Sequence, residues 1–233
     1  MSDAHPHDTP PVPVAWRPEV FGVPMLQRDS PFSYACHACK RCCQHYRIKA
    51  NPYEVLRLAR QLGLTTTAFI ETYLVDDAYL PHDDEGHCSF LGEQGCTVHP
   101  ARPLVCRVYP LGLHVDGQGV ERFSHLQPHP RTEGEYGATG TVDDYLRQQG
   151  VAPFIAADER YLAVLLRLAA LLQSHPELAD TPTEGLLDAD QMIDRYHPHA
   201  NSSQRDDPEQ AMALHIAAIE QWISTHTPHQ ETP

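Results

Sequence analysis

The sequence predicts a mainly α protein in which a cysteine-rich, loop-rich N-terminal half packs against a C-terminal helical part. Three observations predict it. All seven cysteines fall between Cys36 and Cys106, and the 127 residues that follow contain none. The longest runs of apolar residues at helical spacing lie in the second half. Proline accounts for 21 of 233 residues, nearly twice its usual share of about 5%, which points to many loops between the helices.

Taken in order, residues 1–30 are rich in Pro, His and Asp and read as a weakly ordered arm. Asn51-Pro52-Tyr53-Glu54 reads as a helix start: Asn caps, Pro fits the first turn, and Glu54 completes a capping box. Val55, Leu56, Ala59 and Leu62 give this helix an apolar side, and Gly63 stops it. A second short helix is expected over Thr67–Leu74. Leu80–Cys96 reads as loop with a small hairpin near Ser89-Phe90-Leu91. A brief helix is expected over Pro100–Val108, ended by Pro110.

Between Gly112 and Gly140 no period is sustained and Gly and Pro recur, so residues 113–140 are expected to be an irregular excursion or link. The helical part then runs over residues 141–226. Thr141 caps one helix that Gly150 terminates, and Asp158–Gln173 places Leu162, Leu165, Leu166, Ala169 and Leu172 on one face. Asp207-Pro208 opens a last helix carrying Met212, Ile216, Ile219, Trp222 and Ile223, before a tail at 227–233. Such stripes are core by default.

Charge excludes two classes of partner. Lys and Arg number 17 against 31 Asp and Glu, a formal charge of −14, which repels nucleic-acid phosphates and anionic membrane surfaces. The N-terminal residues lack the basic and apolar regions of a signal peptide, and no run approaches the roughly 20 apolar residues of a membrane span. The expected location is cytoplasmic. There a disulfide framework is not expected, and seven is an odd number.

Grouped cysteines in such a chain point to metal. Cys36, Cys39, Cys42 and Cys43 form CxxCxxCC, in which thiols three apart on a turning backbone can aim at one point. Cys88, Cys96 and Cys106 complete the set, making residues 31–112 the expected metal-binding domain. One iron–sulfur cubane needs four thiolates and leaves three; two zinc ions need eight ligands, so the seven cysteines would need one histidine from His37, His45, His87 or His99. Three cysteines at successive intervals of three favour iron over zinc. Individual cysteines can simply pack in a core, and with 16 His along the chain most are surface residues. His82-Asp83-Asp84-Glu85-Gly86-His87 could take a harder cation but reads first as a solvated acidic loop. Arg102 and Arg107 flank Cys106, where a guanidinium could stabilise thiolates and donate to sulfur.

These two blocks resemble the YkgJ-type CxxCxxCC cysteine-cluster family, described as zinc- or iron-chelating. The resemblance covers about Ala35–Leu111 and rests on CxxCxxCC, on Cys88-x-Phe90-Leu91, on Cys96, and on Arg102-Pro103-x-x-Cys106-Arg107-x-Tyr109-Pro110. His99 and Ala101 depart from its pattern, while every cysteine is in place. It implies that Cys36, Cys39, Cys42, Cys43, Cys88, Cys96 and Cys106 serve the metal. The same module is similar to the cysteine-rich part of flagellin lysine N-methylases, which implies as an alternative an iron–sulfur-dependent transferase with a protein or peptide substrate; a third reading, independent of that resemblance, is a structural zinc scaffold that presents the helices to a partner. No Gly-rich cofactor loop, Ser-His-Asp pattern or P-loop is present, and no catalytic residue is assigned.

Overall fold

A computed structural model describes residues 25–44, 47–76, 78–126, 131–178 and 184–227. Most of the arm at 1–30, part of the stretch at 113–140 and most of the tail lie outside them. The first helix, α1 (Pro52–Leu62), has the predicted capping box: Asn51 accepts the Glu54 N–H while the Glu54 carboxylate accepts that of Asn51. It ends at Gly63, whose φ of 70° is the left-handed cap that glycine reaches without a Cβ penalty. Thr65 caps α2 (Thr66–Tyr73).

The predicted hairpin is β2 (Leu91–Gly92) paired with β3 (Gly95–Cys96). The expected helix at 100–108 is split into a 3-10 turn at His99–Ala101 and α3 (Leu104–Val108). Pro103 sits at the N-cap with φ −57° and ψ 160°, an extended conformation that interrupts helical winding.

The irregular stretch expected at 113–140 is corrected. It holds β4 (Leu111–Val115) and β5 (Glu121–His125), which pair antiparallel, and β6 (Glu135–Thr141), which pairs with β1 (Pro31–Ala35) far earlier in the chain. Nor is the end of the arm loose, since Leu26 exchanges backbone hydrogen bonds with Phe123. Arg28 forms ion pairs with Glu121 and Asp143.

The helical part is as expected in kind: α4 (Val142–Gln148), α5 (Ala152–Ser174), α6 (Ala189–Tyr196), α7 (Ser202–Asp206) and α8 (Pro208–His226). None of the described helices is long and apolar enough to cross a membrane. Helix α5 starts six residues earlier than the sequence suggests, and its buried face is Phe154, Ala157, Tyr161, Val164, Leu168 and Leu171. Leu162 and Leu166 are 57% and 61% exposed. Leu165 and Leu172 are half-buried against the helical core while Leu162 and Leu166 face solvent, so the buried face is rotated away from the leucine stripe towards Phe154 and Tyr161, whose rings bury large surfaces. Leu171→Ala is expected to cost about 2–4 kcal/mol, and Leu162→Ala less than about 0.5 kcal/mol, in urea unfolding.

Two buried polar contacts join the halves. Tyr53 of α1 is fully buried against Phe154, and its hydroxyl donates to Glu209 of α8. Arg60 of α1 forks onto Asp190 of α6, which also accepts the Thr66 N–H.

Within the helical core His215 is fully buried. Its Nε2 must donate to the Leu186 carbonyl at 2.8 Å, so Nδ1 accepts from the Tyr161 hydroxyl at 2.8 Å. Burial lowers its pKa to about 4. The folded state thus keeps the ring neutral while the unfolded chain takes a proton below its ordinary value of about 6.5. Stability from this group is complete above that value and falls as pH drops towards 4, by about 3 kcal/mol in all. Unfolding at pH 7 and pH 4.5 should show this loss, and His215→Gln should reduce it.

Candidate metal centre

The site is built where the two cysteine blocks meet. β1 delivers the chain to Cys36, and Ala38 (φ 52°) and Lys40 (φ 68°) then take left-handed conformations on either side of Cys39. Outside glycine this costs of order 1 kcal/mol per residue. It also turns successive N–H groups to one side, the concave backbone that receives anionic sulfur in many clusters. A 3-10 turn at Arg41–Cys43 follows.

The second block is hydrogen-bonded onto the first. The Cys88 N–H donates to the Cys43 carbonyl at 2.9 Å, and Gln44 bridges to His87. Cys96 lies in β3 opposite Leu91, and the hairpin turns at Gly95, whose φ of 112° suits a residue without a Cβ. Cys106 is carried by α3, whose first N–H, at Leu104, donates to Glu54 at 2.6 Å. One carboxylate thereby caps α1 and anchors the last cysteine's helix. Burial lifts Glu54 to about 7, against the pull of those two N–H donors.

Five sulfurs share one electrostatic neighbourhood. Burial first, then the charges of Cys88, Cys96 and Cys42, push the Cys106 thiol far up. Cys88 and Cys96 are raised chiefly by burial, and each also feels Cys42. Cys43 is raised by its hydrogen bond to Cys42, whose sulfur is 3.9 Å away, then by burial and by Cys42, Cys96 and Cys106. The same hydrogen bond, opposed by burial and helped by Arg102, lowers Cys42 to about 7. Cys88, Cys96 and Cys106 also pack on the apolar core that contains Phe90 and Val98.

Backbone donors are aimed at sulfur in a repeated pattern. Cys39 faces the N–H of Arg41, Cys88 that of Phe90, and Cys96 that of Val98, in each case two residues on. Burial raises Cys39, but N–H groups of Glu133 and Arg41 and the Thr132 hydroxyl outweigh it and lower its pKa. Thr132 Oγ1 lies 3.9 Å from the sulfur while accepting the Gly134 N–H, which leaves its own proton for Cys39.

The remaining candidates fall elsewhere. Cys36 is exposed. His37 pairs with Glu135 at 3.3 Å, His87 with Asp83 at 3.2 Å, and His99 Nδ1 lies 3.3 Å from Arg102. His45 lies outside the described residues. Asp83 accepts the N–H groups of Glu85 and His87, so its carboxylate shapes its own turn.

Of the two arginines, Arg102 acts on the thiols as expected and Arg107 does not. Arg102 influences Cys42 and Cys96 while donating to the His99 carbonyl and Gln149. Arg107 is 7% exposed and donates instead to the carbonyls of Arg102, Gln149 and Pro100, with its guanidinium 4.1 Å from the Phe154 ring centroid. Its task is packing.

The donor set is soft and sulfur-rich, which fits iron or zinc and not magnesium or calcium. Among the described residues no three His, Cys, Asp or Glu side chains already stand so as to hold one ion. Residues 35–128 match the family model of a CxxCxxCC domain. The family model that matches them is described as "Putative zinc- or iron-chelating domain". The match reaches beyond the two cysteine blocks across β4 and β5. No curated protein and no solved structure matches the chain.

Proposed function

We propose that the CxxCxxCC domain holds iron as an iron–sulfur cluster, with thiolates drawn from Cys39, Cys42, Cys43, Cys88, Cys96 and Cys106. The observation that carries this reading is the triple N–H pattern at Cys39, Cys88 and Cys96. A thiol in an apolar site gains little from such donors, whereas a metal-bound thiolate is stabilised and oriented by them. Burial and neighbouring sulfurs raise the thiols of Cys43, Cys88, Cys96 and Cys106, which need a polyvalent cation among them before they ionise together. When bound, such a cluster supplies one-electron redox chemistry or Lewis acidity.

Iron is favoured over a two-zinc arrangement by the cysteine count. Two separate tetrahedral sites would need all seven cysteines and one histidine, and Cys36 is exposed. The test is iron, zinc and acid-labile sulfide analysis with a visible spectrum, on protein purified without oxygen. Brown protein with iron and sulfide in equal amounts is expected. Colourless protein with stoichiometric zinc would replace the iron reading with a structural zinc module.

A further inference from the structure

We propose that the cleft between β1, β6 and α4 is a binding site for a small alkylammonium compound, held beside the cysteine loop. The cavity measures about 500 Å³, within the range of small-molecule sites. The residues that line it include Tyr34, Tyr136 and Tyr145 and the acidic Glu135 and Asp144, and among the described residues no Lys, Arg or His lines it. Tyr34 meets Tyr136 edge-on at 4.9 Å and Tyr145 at 6.4 Å, so the rings form a corner and not a closed stack. Aromatic faces at an angle, with acidic groups at the rim, attract a cation.

The strands make the space. Between Pro31 and Ser33 the β1–β6 register shifts, so that β6 carries extra residues, and such a bulge bends a strand away from its partner. Gly137 and Gly140 then line the cleft without side chains, and at Gly137 a Cβ would come within 2.7 Å of Ser33 Oγ.

The carboxylates select the kind of cation. Asp144 is engaged at both oxygens, by Arg147 and by Thr141, and Glu135 reaches His37 at one. No free two-oxygen fork is offered to a guanidinium, so a compact ammonium against the rings suits the site better. The cleft adjoins the cysteine loop through Ala35 and through the His37–Glu135 contact. The inference does not depend on which metal the cysteines hold.

The test is titration of the full chain, as isolated, with butylammonium, 1-butanol and butanoate, followed at the amides of Gly137 and Thr139 by NMR. Butylammonium is expected to shift them saturably and the other two to leave them unmoved. Tyr136→Leu should weaken binding about tenfold and Glu135→Gln about threefold, as loss of a partly desolvated cation–π contact and of a rim charge imply. Glu135 is exposed, so its variant remains decisive if Tyr136→Leu fails to fold. Equal shifts with butanol, no saturable shift with butylammonium, or unchanged affinity in Glu135→Gln would overturn the proposal.

Discussion

Cys39→Ala is expected to abolish the metal binding proposed for the cysteine centre. Cys39 is the cysteine whose sulfur faces the most donors, the N–H groups of Arg41 and Glu133 and the Thr132 hydroxyl, and the strained Ala38 and Lys40 conformations lie on either side of it. Loss of a thiolate should exceed the 10–100-fold affinity loss that outer partners cost, so purified Cys39→Ala should contain almost no metal. Cys96→Ser should behave alike. Cys36→Ala, altering an exposed side chain, should keep most of it. Thr132→Val removes one donor to Cys39 and should lower affinity within that 10–100-fold range. Metal analysis after dialysis against a chelator series checks all four, and a Cys39→Ala protein with full metal content would remove Cys39 from the centre.

Arg107→Ala should unfold the junction between the two halves. Three carbonyls lose a charged donor and the Phe154 ring loses the guanidinium 4.1 Å from its centroid. Breaking a buried charged network of this kind costs about 3–5 kcal/mol, a large part of a typical domain's stability of 5–15 kcal/mol. Urea unfolding should show a much lower midpoint. Arg107→Lys should recover only part of the loss, because an ammonium cannot span three carbonyls with a planar fork. A midpoint within experimental error of the parent would contradict the packing role.

Much of the fold could be read along the chain because its signals are local. Asn51-Pro52 with Glu54, Thr141 with Asp144, and Asp207-Pro208 each cap a helix within four residues, and all three starts are observed. The strands at 111–141 were hidden for the opposite reason. β6 has its partner in β1, about a hundred residues away, and its Gly137 and Gly140 read locally as turn signals. The rotated face of α5 has a similar origin: leucines dominate the local pattern, while Phe154, in the first turn, lies ahead of the stretch that looked helical.

The cysteine centre was legible as a set of residue types and spacings, but not as an arrangement. Nothing in CxxCxxCC indicates that Cys36 ends exposed while Cys42 and Cys43 meet Cys88, Cys96 and Cys106. That outcome depends on the Cys88-to-Cys43 hydrogen bond and on Glu54 holding α3. Glu54 was visible as a helix cap; its second bond, to Leu104, joins positions fifty residues apart and leaves no sequence signal. Arg107 sits in the motif beside a cysteine, so proximity in sequence suggested sulfur, whereas α3 turns it towards the carbonyls behind the site. Tyr34 and Tyr136 of the cleft lie on β1 and β6, which the sequence did not reveal, and Thr132 precedes β6 in a stretch that read as irregular.

X-ray absorption at the metal edge of the full chain, purified without oxygen, tests the central claim most directly, because it reads the atoms bound to the metal. A first shell made of sulfur at about 2.3 Å, as thiolate coordination to zinc or a similar ion requires, with a second metal close by, is the predicted result. A shell dominated by nitrogen and oxygen would contradict the thiolate centre altogether.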